Sequence, residues 1–165
     1  MPSRIRILLV DDHAVLRAGL AALLGSERDM IVAGQAQGGE EGVRLWPKLN
    51  PDVGLVDLSM AGIDGVETVR RIRRRDPDAR LVMLTSSELE HDAARSLEAG
   101  AAAFLTKNVP HEEMLDVIRE VHAGATGLRL GVRPMPAAAP TELLSARGIS
   151  FAHAIREVSW ERGFA

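Results

Sequence analysis

Five short apolar runs, each followed by a stretch with helical spacing, constrain this chain more than any other feature. Ile5-Arg6-Ile7-Leu8-Leu9-Val10 is β-branched and mostly apolar, stops at Asp11-Asp12, and predicts a strand buried on both faces. Met30 to Ala36, Val53 to Asp57, Arg80 to Thr85 and the small-residue run Ala101 to Thr106 predict four more. After the first run, Val15, Leu16, Gly19, Leu20, Leu23 and Leu24 recur at helical spacing behind a cap at Asp12 or His13. Val43, Trp46 and Leu49 do the same until Asn50-Pro51 ends the segment, and Val66, Val69 and Ile72 form a stripe before Asp76-Pro77. Glu88 to Ala99 is closed by Gly100, and Pro110 opens a last helix carrying Met114, Leu115, Ile118 and Val121, with Gly124 as its stop. Such alternation requires a crossover for every parallel strand pair, so the fold class is α/β: a doubly wound, five-stranded parallel sheet covered on both faces.

In sheets of this kind ligands gather at the carboxyl ends of the strands. Asp11-Asp12, Asp57, Thr85 and Thr106-Lys107 each fall at the end of a different predicted strand, so three carboxylates, a hydroxyl and an ammonium distant in sequence meet at one cleft. Neighbouring carboxylates repel, and either some protonate or a cation joins them. Mg2+ is the natural candidate, since it takes hard oxygen ligands and combines one or two carboxylates with waters and phosphate oxygens. An ionised Asp57 can attack phosphorus as a nucleophile while Mg2+ and Lys107 neutralise the equatorial oxygens and Thr85 donates a hydrogen bond.

These residues resemble the receiver domains of two-component response regulators over roughly Ile5 to Ala123. The match is the acidic pair Asp11-Asp12, then Asp57, then Thr85-Ser86, then Lys107 with Phe104 three before it, five elements in order at strand ends. The resemblance implies the flavodoxin-like strand order 2-1-3-4-5, which the family's best-known receivers exemplify. It also implies a non-enzymatic phosphoacceptor domain in which Asp57 receives a phosphoryl group from the phosphohistidine of a sensor histidine kinase. By the same resemblance Asp12 contacts Mg2+ directly, Asp11 largely through water, and the Ser59 backbone carbonyl adds a ligand. Thr85 would move toward the phosphate and Phe104 turn inward behind it, a small charge event biasing a packing element with two states.

The chain departs from receivers at two points, Ala61 and Asn108, where the family commonly has proline. The second proline often follows a cis bond, and a cis bond before a non-proline residue costs about 2.5 to 4 kcal/mol, so a trans Lys107-Asn108 bond is expected. Regulators with a LuxR-type output domain often lack this proline too.

Length fits one compact domain of about 100 to 150 residues plus an appendage, here within 165 residues. Hydrophobic residues at 46% and charged residues at 26% exclude disorder, and a net charge of −3 gives no bulk reason for nucleic-acid binding. Without cysteine there are no disulfides, thiolate metal sites or thiol nucleophiles. No apolar run approaches the roughly 20 residues that cross a bilayer, and Met1 to Arg6 is too short and polar for a signal peptide, so a soluble cytoplasmic protein without membrane contact is expected. Residues 1–123 form the receiver. From Gly124 the glycines, Pro134, Pro136, Ala137-Ala138-Ala139 and Pro140 predict a linker through 147. Thr141 to Arg147 resembles the opening of a LuxR-type helix-turn-helix domain, but Gly148 stands at the glutamate position and the remainder is too short for a recognition helix with its framework, so specific DNA binding is not expected. Phe151, Ile155 and Val158 share a helical face in the 148–165 tail, which either frays or docks on its own receiver or on a second copy, giving a homodimer.

Blander roles compete for several of these residues. Asp11 and Asp12 can cap a helix, Asp64-Gly65 reads as turn chemistry, and Phe104 as core. The arginines from Arg70 to Arg75 spread around a helix axis as a solvated face, and His13, His91, His111, His122 and His153 show no metal spacing. Two rival functions use the same acids: a Mg2+-dependent phosphohydrolase with an aspartyl-phosphate intermediate, and a pseudo-receiver that binds partners unphosphorylated. The phosphohydrolases place the nucleophile after the first strand with a second aspartate two positions later, where this chain has His13.

Overall fold

The computed structural model describes residues 3–132. Alternate side chains of the central strands point to opposite faces of one sheet, and both sets are apolar, as a strand covered on both sides requires. The elements run β1 (Ile5–Val10), α1 (Ala14–Ser26), β2 (Met30–Ala36), α2 (Gly39–Leu49), β3 (Val53–Asp57), α3 (Gly65–Arg75), β4 (Leu81–Thr85), α4 (Glu90–Glu98), β5 (Ala103–Thr106), α5 (His111–His122) and β6 (Leu128–Leu130). All pairings are parallel, in the order β2-β1-β3-β4-β5-β6. The expected five-stranded order is thus present and gains a sixth strand. Leu128–Leu130 falls in the stretch predicted as linker, and it pairs Ala103 with Leu128 and Leu105 with Leu130. Its composition carries little strand signal; the open edge of β5, which needs backbone partners, supplies the reason for it.

Ile7, Leu9, Leu55, Val82, Leu84 and Leu105 pack under α1 and α5, against Leu24, Met114, Leu115 and Ile118. Leu8, Val10, Val56, Met83 and Phe104 pack under α2, α3 and α4, against Val43, Trp46, Val69, Ile72 and Ala93. Gly54 makes room for this second layer, since a Cβ there would lie 2.8 Å from the Trp46 ring. Trp46 in turn donates from Nε1 to Asp76 Oδ2 at 2.9 Å, so its one polar atom is paired.

Two boundaries differ from expectation. α4 begins at Glu90 rather than Glu88, because Ser87 and Leu89 are held in a turn in which Leu89 N–H donates to Ser87 Oγ at 3.3 Å. The predicted inward stripe of α1 is buried only in its second half: Leu24 is fully covered, while Val15 is 86% and Leu16 45% exposed. The first turn of α1 flanks a groove of about 260 Å3 lined in part by Val15, Leu16, Leu20, Val109 and Met114. At the far end, Arg119 of α5 pairs with Asp29 at 2.8 Å and Glu27 at 3.0 Å, tying α5 to the α1–β2 turn. No helix among the described residues is long and apolar enough to cross a membrane.

Candidate functional site

The site is built by register. Val10 lies opposite Val56 in the ladder, so the next residues, Asp11 just past β1 and Asp57 at the end of β3, stand side by side at the carboxyl edge. Thr85 lies opposite Thr106, and Lys107 N–H continues the ladder to Thr85 O at 2.7 Å, which holds the root of the lysine beside β4. Four strand ends therefore deliver the predicted acids, hydroxyl and ammonium to one carboxyl edge.

Asp11 and Asp57 are buried and Asp12 is more open. Lys107 Nζ stands 3.3 Å from Asp57 Oδ1 and 3.6 Å from Asp11 Oδ2. Asp11 Oδ2 is buried with no hydrogen-bond partner, and its other oxygen accepts from His13 N–H at 2.8 Å. Asp12 Oδ2 accepts from Ala61 N–H at 3.0 Å. That bond depends on the departure from the receiver pattern, because proline at 61 would have no N–H to give. Burial pushes the Asp57 carboxyl above the usual carboxylate range; Lys107 opposes the shift, and Asp11 and Asp12 reinforce it.

The loop after β3 runs through exposed Ser59 and turns at Gly62, whose φ is +81°. It closes where Gly65 N–H donates to Leu58 O at 2.8 Å. Asp64 then caps α3 by accepting from Glu67 N–H at 2.9 Å, the turn-and-cap role expected of it. A Cβ on Gly65 would lie 2.4 Å from Asp57 O and 2.8 Å from Leu58 Cα. Backbone atoms cannot rotate away, so Gly65→Ala is expected to cost about 3 kcal/mol, the upper end for overpacking, and to lower the urea midpoint; an unchanged midpoint would show that the loop can shift freely.

Thr85 is buried, and its hydroxyl oxygen accepts from Ser87 N–H at 3.1 Å, leaving its own proton for another acceptor. Phe104 is fully buried beside Met83. The Lys107-Asn108 bond is trans, and no cis bond occurs among the described residues. Asn108, where proline is common, instead donates from Nδ2 to Glu88 Oε1 at 3.1 Å, linking the loops after β5 and β4. Of the arginines on α3, Arg71 pairs with Glu67 and Glu40, Arg73 donates to Ala79 O, and Arg70, Arg74 and Arg75 face solvent.

The sequence assigns no chemistry to one residue at the site, which reads there as a helix-cap candidate without metal spacing. His13 Nδ1 lies 3.1 Å from Asp12 Oδ1, 3.3 Å from Asp11 Oδ1 and 3.9 Å from Asp57 Oδ2. Its adjacency to the acidic pair was the available signal.

Strand order and site together define a flavodoxin-like α/β domain with an acidic pocket at its carboxyl edge. The pattern of the response regulator receiver domain matches residues 7–119. The chain is 41% identical over 120 residues to response regulator GacA of Pseudomonas aeruginosa, covering 73% of this chain and 56% of that protein. It thus spans just over half the length of that relative. Among solved structures it is similar to a LuxR-family two-component response regulator from Aurantimonas sp. SI85-9A1, at a TM-score of 0.73 and 30% identity over 88% of this chain and 99% of that one. It is also similar to a chain of the CheX-CheY-BeF3-Mg2+ complex from Borrelia burgdorferi, at a TM-score of 0.68 and 26% identity over 72% of this chain and 90% of that one. The chain belongs to the response regulator receiver domain family, and its function is that of a two-component receiver. Neither the phosphohydrolase nor the pseudo-receiver is favoured by these relationships.

Proposed function

We propose that this chain accepts a phosphoryl group on Asp57 from the phosphohistidine of a sensor histidine kinase. The observation that carries this reading is Lys107 Nζ at 3.3 Å from Asp57 Oδ1, with Asp11 Oδ2 at 3.6 Å from the same ammonium. An Asp57 carboxylate oxygen attacks phosphorus; the O–P bond forms as the P–N bond to the kinase imidazole breaks, and the imidazole leaves with that electron pair and takes up a proton. Lys107 neutralises charge on the phosphoryl oxygens, and the Thr85 hydroxyl donates its free proton to one of them.

Asp11, Asp12, Asp57 and the Ser59 carbonyl are the residues that would hold Mg2+. The buried Asp11 Oδ2 without a hydrogen-bond partner fits this, as does a set of oxygens from three acids within 4.8 Å of one another. When bound, Mg2+ would supply positive charge to the phosphoryl oxygens alongside Lys107. The complex of the Borrelia relative, which pairs BeF3 with Mg2+, supports the same combination here.

In this reading the chain is the acceptor of the transfer and assists its own phosphorylation and dephosphorylation; it turns over no separate substrate. The exposed Val15 and Leu16 beside the site offer apolar surface for a partner. Residues 1–123 carry the reaction, and the signal leaves through protein contacts in the cytoplasm, with Thr85 and Phe104 as the switch residues. The homodimer, the linker beyond β6 and the tail from 148 lie outside the described residues.

Incubation with a small acyl phosphate and Mg2+, followed by intact mass measurement, tests the reading. Wild type is expected to gain one phosphoryl group, and Asp57→Asn or EDTA-treated protein none. Equal gain by the mutant would refute the assignment, and steady turnover of phosphate esters would favour the phosphohydrolase.

A further inference from the structure

We propose that His13 makes the acidic pocket a mixed carboxylate-imidazole site that takes divalent transition ions, from Mn2+ to Zn2+, with His13 Nδ1 as a ligand. The inference rests on the acidic pocket being the cation site, and it adds a donor and a class of ion to it. Two donors bound at about 2.1 Å to one ion lie about 3 Å apart when adjacent and about 4 Å apart when opposite. The distances from His13 Nδ1 to Asp12 Oδ1, Asp11 Oδ1 and Asp57 Oδ2, at 3.1, 3.3 and 3.9 Å, fall in that range. Its Nδ1 and one oxygen from each acid lie within 4.8 Å of one another.

The pocket is divided between its two nitrogen groups. Lys107 faces Asp57 Oδ1 and Asp11 Oδ2, while His13 faces Asp57 Oδ2, Asp11 Oδ1 and Asp12 Oδ1. The ammonium cannot ligate a cation, so the cation's share of the pocket is the half that His13 overhangs. Asp11 Oδ2 is buried without a hydrogen bond, its nearest cation being Lys107 Nζ at 3.6 Å, so the acids retain capacity for a further positive group. His13 is brought there by a local turn, in which its own N–H donates to Asp11 Oδ1 at 2.8 Å and the ring folds back over the acids.

The consequence is selectivity. Mg2+ prefers oxygen donors and gains little from an imidazole, whereas affinity for nitrogen-containing sites rises from Mn2+ toward Cu2+ and remains high for Zn2+. With 62% of its side chain exposed, His13 has room to adjust as an ion enters.

The untagged full chain, stripped with EDTA, is loaded with Mn2+ and examined by pulsed EPR as wild type, His13→Ala and Asp12→Asn. Wild type is expected to show coupling to an imidazole 14N, lost in His13→Ala although Mn2+ still binds. By calorimetry, His13→Ala should weaken Zn2+ by at least about tenfold, the smaller end of what losing even an outer-shell partner costs, and weaken Mg2+ less. Mn2+ bound by wild type without nitrogen coupling, or coupling that survives in His13→Ala, overturns the inference and leaves the acidic cation site standing; the imidazole is then only a hydrogen-bonding partner of the acids. Failure of wild type to bind Mn2+ or Mg2+, or binding undiminished by Asp12→Asn, overturns both.

Discussion

Phe104→Ala is expected to remove about 3–5 kcal/mol of folding stability, the cost of truncating a buried aromatic. Among the described residues Phe104 is the largest fully buried side chain, and it lies opposite Met83 in the ladder within the apolar layer that α2, α3 and α4 cover. Ala93 and Ala101 of the same apolar layer are too small to fill the space. For a chain of this size each kcal/mol moves Tm by about 2–4 °C, so a fall of roughly 10 °C is expected, with the urea midpoint falling in step. A loss below about 1 kcal/mol, the scale of surface changes, would place the ring outside this pocket.

Asp57→Asn is expected to act in the opposite direction and to stabilise the metal-free protein. Burial raises the Asp57 carboxyl above its ordinary range, against Lys107 and with Asp11. Folded protein therefore holds this proton more tightly than unfolded protein does. Below the unfolded value both states are protonated and the group contributes nothing. As pH rises through the interval up to the folded value, the unfolded chain ionises first and stability is lost; above it a constant penalty remains. At pH 7 without divalent ions the asparagine variant should melt a few °C higher, given about 2–4 °C per kcal/mol. The wild-type loss of stability across the interval should be absent from the variant. Added Mg2+ should raise the wild-type Tm more than that of the variant, since a ligand that binds only folded protein stabilises it. A variant that melts lower than wild type in EDTA would show that the three acids are already compensated.

Much of this was readable in the residues. Four of the five predicted strands end where expected relative to their chemistry because Asp11, Asp57, Thr85 and Lys107 each interrupt an apolar run, and a parallel sheet puts those interruptions on one edge. Departures at 61 and 108 were equally visible, but their use was not: the Ala61 N–H to Asp12 bond and the Asn108 to Glu88 bond depend on loops from different strands meeting. The strand at Leu128–Leu130 is three residues long and lies between Gly127 and Gly131, so its pairing is decided by the edge of β5 rather than by its own pattern. His13 looked isolated because no partner lies at helical ligand spacing; its partners are the two residues before it and one residue brought across by β3. Val15 and Leu16 have helical periodicity, but periodicity cannot say where the sheet beneath a helix stops.

The sheet order has a consequence for the newborn chain. β1 pairs first with β2, β3 then takes the other edge of β1, and β4, β5 and β6 each add to the last strand placed. No strand has to be inserted between two already joined, so the sheet can grow in the order in which the ribosome releases it. The three acids meet as soon as β3 docks, whereas Lys107 follows about fifty residues later, a delay of a few seconds at usual rates of synthesis. During that interval the nascent domain carries a pocket of three acids with no lysine in it, and a divalent ion is a positive partner that the partly made fold can recruit.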